Sequence, residues 1–389
     1  MLYIFTATYP YGSAEGFLEE ELLYLSEQFQ GITIIPLSGV GDAKRSVPKG
    51  CIVNEPILKS RLWKFFHGLF CSRTFGIYVK DLFQNKVLLS RTKLCEWLAS
   101  YFNTNCAIKH PIIKNVEKSL KEGDICYFYW GKGLNSLSVF WDHKAKYVSR
   151  FHGEWDLWEE SAQNYAPIRR KIVNHLDLAV FISQKGEAYF KKRYPQCKTV
   201  VSRLGSRDCG PGKKSTDGVI RVVSCSSVWW LKRVPLIYQA LKEMNEDIEW
   251  THIGTGEDFD KLKNLVDTNK KNNVRVNLTG YLSHDEVLRY YAEHPVDVFI
   301  NVSTNEGIPV SIMEAISFDI PVIATDVGGN SEVTTLSTGI LLRANPSPAE
   351  IMTAIRTIQK ASYKPRNFWE ENYSAKLNYS NFANLIRTL

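Results

Sequence analysis

The sequence predicts an α/β protein of two domains, each organised around a doubly wound parallel sheet, and three observations carry that expectation. Short apolar runs rich in Ile, Val and Phe alternate with longer amphipathic stretches from end to end, the pattern of repeated strand and helix units. The chain has 389 residues, more than a single core usually organises. Residues 205–218, GSRDCGPGKKSTDG, mix glycine, proline and charge without an apolar period, which marks a boundary between two such cores.

The first domain is expected over residues 1–205, with strands at 2–7, 32–37, 125–130, 146–151, 178–182 and 199–203. Residues 57–103 interrupt its alternation. That stretch carries Trp63, Phe65, Phe66, Phe70, Phe75, Phe83, Trp97 and Phe102 among many lysines and arginines. It reads as a basic, aromatic-rich helical insertion, either packed on the domain or docked on a membrane surface. The second domain, 219–366, is more regular, with strands at 220–225, 249–253, 274–278, 296–302, 322–325 and 339–342 and helices between them. A doubly wound sheet binds its ligands beyond the carboxyl ends of the strands, and two such domains facing each other would leave a cleft. Residues 367–389 read as a helical tail.

Composition sets the broad class. A hydrophobic fraction of 44% and a charged fraction of 23% are ordinary for a soluble globular protein. The formal net charge of +7 supports affinity for anions in general, and no basic run of the nucleic-acid type is present. The eight cysteines are scattered, without a Cys-x-x-Cys pair or a His cluster at metal spacing, so reduced thiols and no metal site are expected. No apolar run reaches the roughly 20 residues that span a bilayer, and the first residues enter a strand pattern without a basic leader. A cytoplasmic protein, neither secreted nor integral to a membrane, is the expectation.

The strongest chemical signal is NEGIPVSIMEAIS, residues 305–317, which follows the apolar strand DVFINV. Gly307 allows a ligand close to the backbone, Pro309 suits a helix start, and the unpaired N–H groups of a new helix favour an anion, so a diphosphate fits there. Glu306 precedes the helix and Glu314 lies on its second turn. Glu314 is placed to accept two hydrogen bonds from a ribose diol, and Glu306 to face whatever is attached beyond the phosphates.

This motif resembles the signature of glycosyltransferase family 4, retaining enzymes with the GT-B fold of two Rossmann-like domains, and in particular its bacterial exopolysaccharide and capsule branch. The resemblance extends over nearly the whole chain. It implies that Glu314 binds the donor ribose, that Glu306 lies by the donor sugar, and that backbone groups of Gly307, Ile308, Pro309 and Val310 hold the diphosphate. A second landmark, SRFHGEWDL at 149–157, resembles the family's His-Gly-x-Asp-Leu segment with one extra residue before the aspartate. There His152 would reach the transferred sugar as a neutral imidazole, and Asp156 would cap or orient the loop.

A third landmark, SCSSVWWLKR at 224–233, matches the family lysine at Lys232. A fixed cation there neutralises the charge that grows on the leaving diphosphate. Many family members carry an arginine five or six residues earlier, where this chain has Ser226 and Ser227. Arg233 either substitutes for it or is a surface cation. In the weaker landmarks HIGTGED and GYLSHDEV, the family analogy puts the backbone near Leu282 beside the base and has Gly254 and Gly256 keep the cleft floor open. Near the start, YPYGSAEGFLEE resembles the family's glycine loop, where Gly12, Glu15 and Gly16 would touch acceptor or donor phosphate.

The resemblance thus implies a hexose-type sugar moved from a UDP- or GDP-linked donor, without metal or cofactor and with retention, to a glycan acceptor such as a lipid-linked oligosaccharide. Peripheral contact with the inner face of the cell membrane goes with such an acceptor. A same-face mechanism and a carboxylate nucleophile both remain open at this point. So do a sugar-nucleotide epimerase on the same fold and an inactive, transferase-like binding subunit.

Overall fold

The computed structural model describes residues 1–12, 15–39, 45–58, 66–159 and 164–389. Trp63 and Phe65 of the aromatic insertion, and Ser13 and Ala14 of the first loop, lie outside the described residues.

Two compact units divide the chain: residues 1–203 with 379–389, and residues 204–378. The first holds seven parallel strands, β1 (Leu2–Thr6), β2 (Ile32–Pro36), β3 (Cys51–Val53), β4 (Ile125–Phe128), β5 (Lys146–Phe151), β6 (Leu178–Phe181) and β7 (Thr199–Val201), in the spatial order β3-β2-β1-β4-β5-β6-β7. The second holds β8 (Ile220–Cys225), β9 (Ile248–Ile253), β10 (Val274–Gly280), β11 (Val298–Asn301), β12 (Val322–Thr325) and β13 (Gly339–Leu342), in the order β10-β9-β8-β11-β12-β13. Every pairing in both sheets is parallel. In each sheet the order reverses between its first strand and the strand that crosses over beside it. This is the switch point where an open α/β sheet leaves a crevice for a ligand.

The strands are apolar on both faces because helices cover both. In β1, Leu2 and Ile4 enter one core with Leu18, Leu22 and Ile34, whereas Tyr3 and Phe5 enter the opposite one with Trp97, Cys126 and Phe128. Strict alternation of side chains along a strand produces that division. Short β3 escapes the sequence pattern, since its apolar run is only three residues long and the central Ile52 is exposed.

Helices of the first unit are α1 (Gly16–Gln28), α2 (Ser72–Gln84), α3 (Arg91–Lys109), α4 (Pro111–Ser119), α5 (Glu154–Leu157), α6 (Arg169–His175) and α7 (Gln184–Arg193). The insertion is built on α2 and α3, locked by Trp97 Nε1 donating to Tyr78 O and by the Tyr78 hydroxyl bonded to Ser100 and Thr104. The second unit contributes α8 (Val234–Leu241), α9 (Phe259–Thr268), α10 (His284–Glu293), α11 (Val310–Ser317), α12 (Asn330–Val333), α13 (Pro348–Lys360) and α14 (Pro365–Asn372). The last helix, α15 (Ala375–Arg387), starts in the second unit, and its Phe382, Ala383 and Ile386 belong to the core of the first. Among the described residues no helix is long and apolar enough to cross a membrane.

Candidate active site

In the second unit the switch point lies between β8 and β11, and the segments leaving these two strands carry Lys232 and Glu306. Three contacts stitch the segments together. Thr304 N donates to Leu231 O at 2.8 Å, Arg233 Nε donates to Val302 O at 2.6 Å, and Arg233 Nη2 donates to Ser303 O at 3.0 Å. The seam delivers Lys232 Nζ to Glu306 Oε1 at 2.7 Å. The same oxygen accepts from Ser303 Oγ at 2.6 Å and from Asn301 Nδ2 at 3.1 Å, which fixes the carboxylate in a buried position.

Arg233 has a different task from replacing the absent family arginine. Its guanidinium also donates to Ala344 O and to Asn345 Oδ1, so its donors serve carbonyl and amide oxygens of the fold. Its backbone is left-handed, with φ of 49°, at the turn into α8. Arg233 therefore builds the site by holding two loops together. The charge presented at the switch point is that of Lys232.

Beyond Glu306 the chain turns into α11. Gly307, buried Ile308 and Pro309 form the turn, with Pro309 as N-cap and Val310 as the first helical residue. Among the described residues, the N–H groups of Gly307, Ile308, Val310 and Ser311 have no hydrogen-bond acceptor. Four donors at a helix amino end form a cradle for an anion. Gly328 and Gly329, which the sequence reading did not single out, make the turn possible. A side chain on either would collide with the carbonyl of Glu306 or Gly307, and Gly329 N donates to Gly307 O at 2.7 Å.

Glu314, on the second turn of α11, is buried and accepts from His284 Nε2 at 2.8 Å. His284 is the first residue of α10, whose Ser283 and Glu286 form a reciprocal cap. Its hydrogen bond to Glu314 raises its pKa above the ordinary value, against the opposing effect of partial burial. This contact ties the loop bearing half-buried Leu282 to the carboxylate of α11. Gly254 and Gly256 act differently from the cleft-floor role implied by the resemblance. A side chain on either would strike the carbonyl of Ser226 or Val228, so these glycines let the loop after β9 pack on the loop after β8.

In the first unit, His152 follows β5 directly and is nearly buried. Its Nε2 lies 2.9 Å from the Tyr129 carbonyl, which can only accept, so Nε2 carries the proton. Nδ1 is then an acceptor, and it is buried without a partner among the described residues. Burial, with nearby Arg150, pushes the pKa of His152 down to about 3, which keeps the ring neutral. Trp130 and Tyr129 flank it at ring separations of 4.5 and 4.8 Å. Asp156 orders the loop beneath, accepting from the N–H groups of Gly131, His152 and Gly153. Burial nevertheless pushes its carboxyl up to about 6.

For Glu15 the structure replaces the expected contact with acceptor or phosphate. Its buried carboxylate accepts from the N–H groups of Ala7, Thr8 and Tyr9, from Thr8 Oγ1 and from Trp130 Nε1. Five donors occupy it, so Glu15 is the internal anion that shapes the loop after β1. Gly12 is exposed with φ of 69°, and Gly16 opens α1. The sequence motif captured this loop, but not the fact that its N–H groups are filled from within.

An anion cradle and a lysine at the switch point of a Rossmann-ordered sheet, with a carboxylate on either side, suit a phosphorylated ligand. Comparison with known proteins follows the same line. Residues 213–375 match the family described as Glycosyl transferases group 1. The putative colanic acid biosynthesis glycosyltransferase WcaL of Escherichia coli (strain K12) is 25% identical over 213 residues, 51% of each chain. The amylovoran biosynthesis glycosyltransferase AmsK of Erwinia amylovora is 28% identical over 222 residues, 53% of each chain. The match spans about half the length of these two relatives.

Among solved structures, the apo form of the lipopolysaccharide outer core galactosyltransferase WaaB aligns with a TM-score of 0.67 at 14% identity, covering 100% of this chain and 99% of its own. Anabaena Alr3699/HepE in complex with UDP aligns with a TM-score of 0.66 at 14% identity over 100% of both chains. The fold is GT-B.

Proposed function

We propose that this chain is a retaining, metal-independent glycosyltransferase of polysaccharide biosynthesis, moving a hexose-type sugar from a nucleoside diphosphate sugar to a glycan. The observation that carries the reading is the Lys232–Glu306 contact beside the four unpaired N–H groups at the start of α11. The diphosphate lies on those N–H groups and against Lys232, Glu314 grips the ribose, and Glu306 orients the sugar. UDP is the favoured nucleotide, because HepE is described in complex with UDP, with UDP and glucose, and with UDP-glucose.

In the reaction the acceptor oxygen bonds to the anomeric carbon while the bond from that carbon to the phosphate oxygen breaks. The departing phosphate oxygen takes the acceptor proton. Negative charge on the diphosphate grows along this path, so Lys232 and the fixed N–H groups stabilise the transition state more than the ground state. No protein base is needed. Glu306 is held by three donors on one oxygen, which suits orientation better than nucleophilic attack. In the first unit, His152 offers a neutral acceptor at Nδ1 to a sugar hydroxyl.

The acceptor is lipid-linked, and the protein meets an anionic membrane through its insertion. Phe66, Phe70, Phe75, Phe83, Leu88 and Leu89 are exposed there, with Lys80, Lys86 and Arg91 exposed in the same segment. Apolar side chains among cations suit the boundary between acyl chains and anionic headgroups. The test of the function is release of UDP from UDP-glucose and UDP-galactose with and without a lipid-linked oligosaccharide fraction. Acceptor-dependent release supports transfer, whereas sugar interconversion without an acceptor contradicts it.

A further inference from the structure

Between α2 and α6 the first unit has an open cavity of about 760 Å³, and no strand residue lines it. The helix α2 lines it with Lys80, Asp81 and Gln84, and α6 with Arg170, Lys171 and Asn174. On each helix these residues are three and four apart, so each helix turns one polar face to the cavity.

Charge in this lining is unevenly used. Asp81 is buried and accepts from the Tyr165 hydroxyl, from Ile168 N and from Asn85 Nδ2. Glu159, the other carboxylate in the lining, accepts from the Tyr194 hydroxyl at 2.7 Å and lies 4.0 Å from Arg169 Nε and 3.9 Å from Arg193 Nε. Both carboxylates are thus occupied from within the fold. Lys80, Arg170 and Lys171 are exposed, and none has an ion-pair or hydrogen-bond partner among the described residues. Three cations from two facing helices therefore share one cavity without a counter-charge of their own.

We propose that this cavity binds a phosphate ester, with the Arg170 guanidinium taking two phosphate oxygens and Lys80 and Lys171 adding charge from the two helices. A planar guanidinium fits a phosphate through two parallel hydrogen bonds, and ammonium groups serve it as point charges. Three uncompensated cations match a phosphate, which carries up to two negative charges, better than a single carboxylate. The volume exceeds that of a bare ion and leaves room for the esterified alcohol. Asn174 can donate to that alcohol, because its Oδ1 already accepts from Gln196 Nε2 and its amide N–H groups remain. This site is separate from the donor diphosphate at α11 and does not depend on the glycosyl-transfer reading. Two sources share the chemistry: a soluble phosphate ester, and the headgroup of a membrane phospholipid whose acyl chains would meet exposed Phe83, Leu88 and Leu89.

NMR of the full chain, observing backbone amides and arginine Nε–H groups during titration with glycerol 3-phosphate, tests this, with glycerol and acetate as controls. Glycerol 3-phosphate should shift the Arg170 Nε–H resonance and the amides of Lys80 and Lys171 together. Neither control should do so, and saturating UDP should leave the shifts in place. Arg170→Ala and Lys171→Ala, both at exposed positions, should each weaken binding about five-fold, the value of one solvent-exposed charged contact. Gly76→Trp should abolish binding, because a side chain at this lining position meets no atom within 4 Å and enters open space. Flotation with phosphatidylglycerol vesicles separates the two sources. Flotation lost in the double variant Arg170→Ala/Lys171→Ala assigns a lipid headgroup; flotation retained there, or absent from the wild type, assigns a soluble ester. No shift with glycerol 3-phosphate, equal shifts with acetate, displacement by UDP, or binding that survives Gly76→Trp would overturn the proposal. The first three outcomes need no variant, so they decide even where a substitution fails to fold.

Discussion

Lys232 Nζ and Glu306 Oε1 are 2.7 Å apart although 74 residues separate them in the chain. The two segments that carry them leave adjacent parallel strands, β8 and β11, at the point where strand order reverses. Topology alone brings them close, and Arg233 locks the segments in register. The lysine is partly buried beside a carboxylate that holds its head group in place. It still has N–H groups to offer a diphosphate, since an ammonium carries three.

Lys232→Met should therefore lower turnover roughly 100-fold, the usual cost of removing one preorganised donor from a developing anion. Lys232→Arg should recover only part of it, because the planar fork does not reproduce a point charge. Steady-state rates of UDP release from the active donor check both. Unchanged turnover in Lys232→Met would remove the lysine from the leaving-group site.

Glu314→Gln should weaken UDP binding by about 1–3 kcal/mol, the range for a lost charge-assisted hydrogen bond, measured by calorimetry. The same substitution has a second consequence at His284. The pair raises the folded-state pKa of His284 above 6.5, so its contribution to stability is full below that value and fades as pH rises through the folded pKa. In Glu314→Gln the NMR titration midpoint of His284 should fall back toward 6.5. A midpoint that does not move would show that the contact contributes nothing in solution.

His152 runs in the opposite direction. Its folded pKa is pushed down to about 3, whereas an unfolded histidine titrates near 6.5. Between those values the unfolded chain holds a proton that the native ring refuses, so stability is intact above about pH 6.5 and declines as pH falls toward 3. The slope from this group is about 1.4 kcal/mol per pH unit. His152→Gln should flatten the acid limb of a stability–pH curve measured by urea unfolding and should also reduce turnover. An acid limb identical to wild type would contradict a buried neutral imidazole.

Glu21 and Arg150 form a fully buried ion pair at 2.7 Å, with the Tyr127 hydroxyl donating to Glu21 at 2.9 Å and Phe382 under the guanidinium. Phe382 lies on α15, so this network fastens the end of the chain to the first unit's core. Glu21→Ala strands a buried cation and should destabilise this unit by about 3–5 kcal/mol. Differential scanning calorimetry should show the loss in one transition. A melting profile unchanged from wild type would mean that water reaches Arg150 in solution.

The parallel strands were legible because burial on both faces writes them as apolar runs. β5, β8, β12 and β13 begin and end where the pattern expects. β3 was not legible, since a run of three residues with an exposed Ile52 at its centre is too short to show a period. The motif at 305–317 was legible because all its parts are local. Its supports were not. Gly328, Gly329, His284 and Asn345 approach from other loops and helices, and nothing near them in sequence announces a partner 22 to 112 residues away. Arg233 and Glu15 show the complementary limit. Sequence presents a cation or a carboxylate, and only the fold shows its valences already filled by the backbone.

A nucleoside diphosphate is expected to settle on the amino end of α11. Amide 1H–15N spectra of the deuterated protein, recorded during titration with UDP and with GDP, test this directly. The N–H resonances of Gly307, Ile308, Val310 and Ser311 should show the largest shifts with the preferred nucleotide and should saturate together. Nucleotide binding that leaves these four resonances in place while perturbing others would place the diphosphate elsewhere.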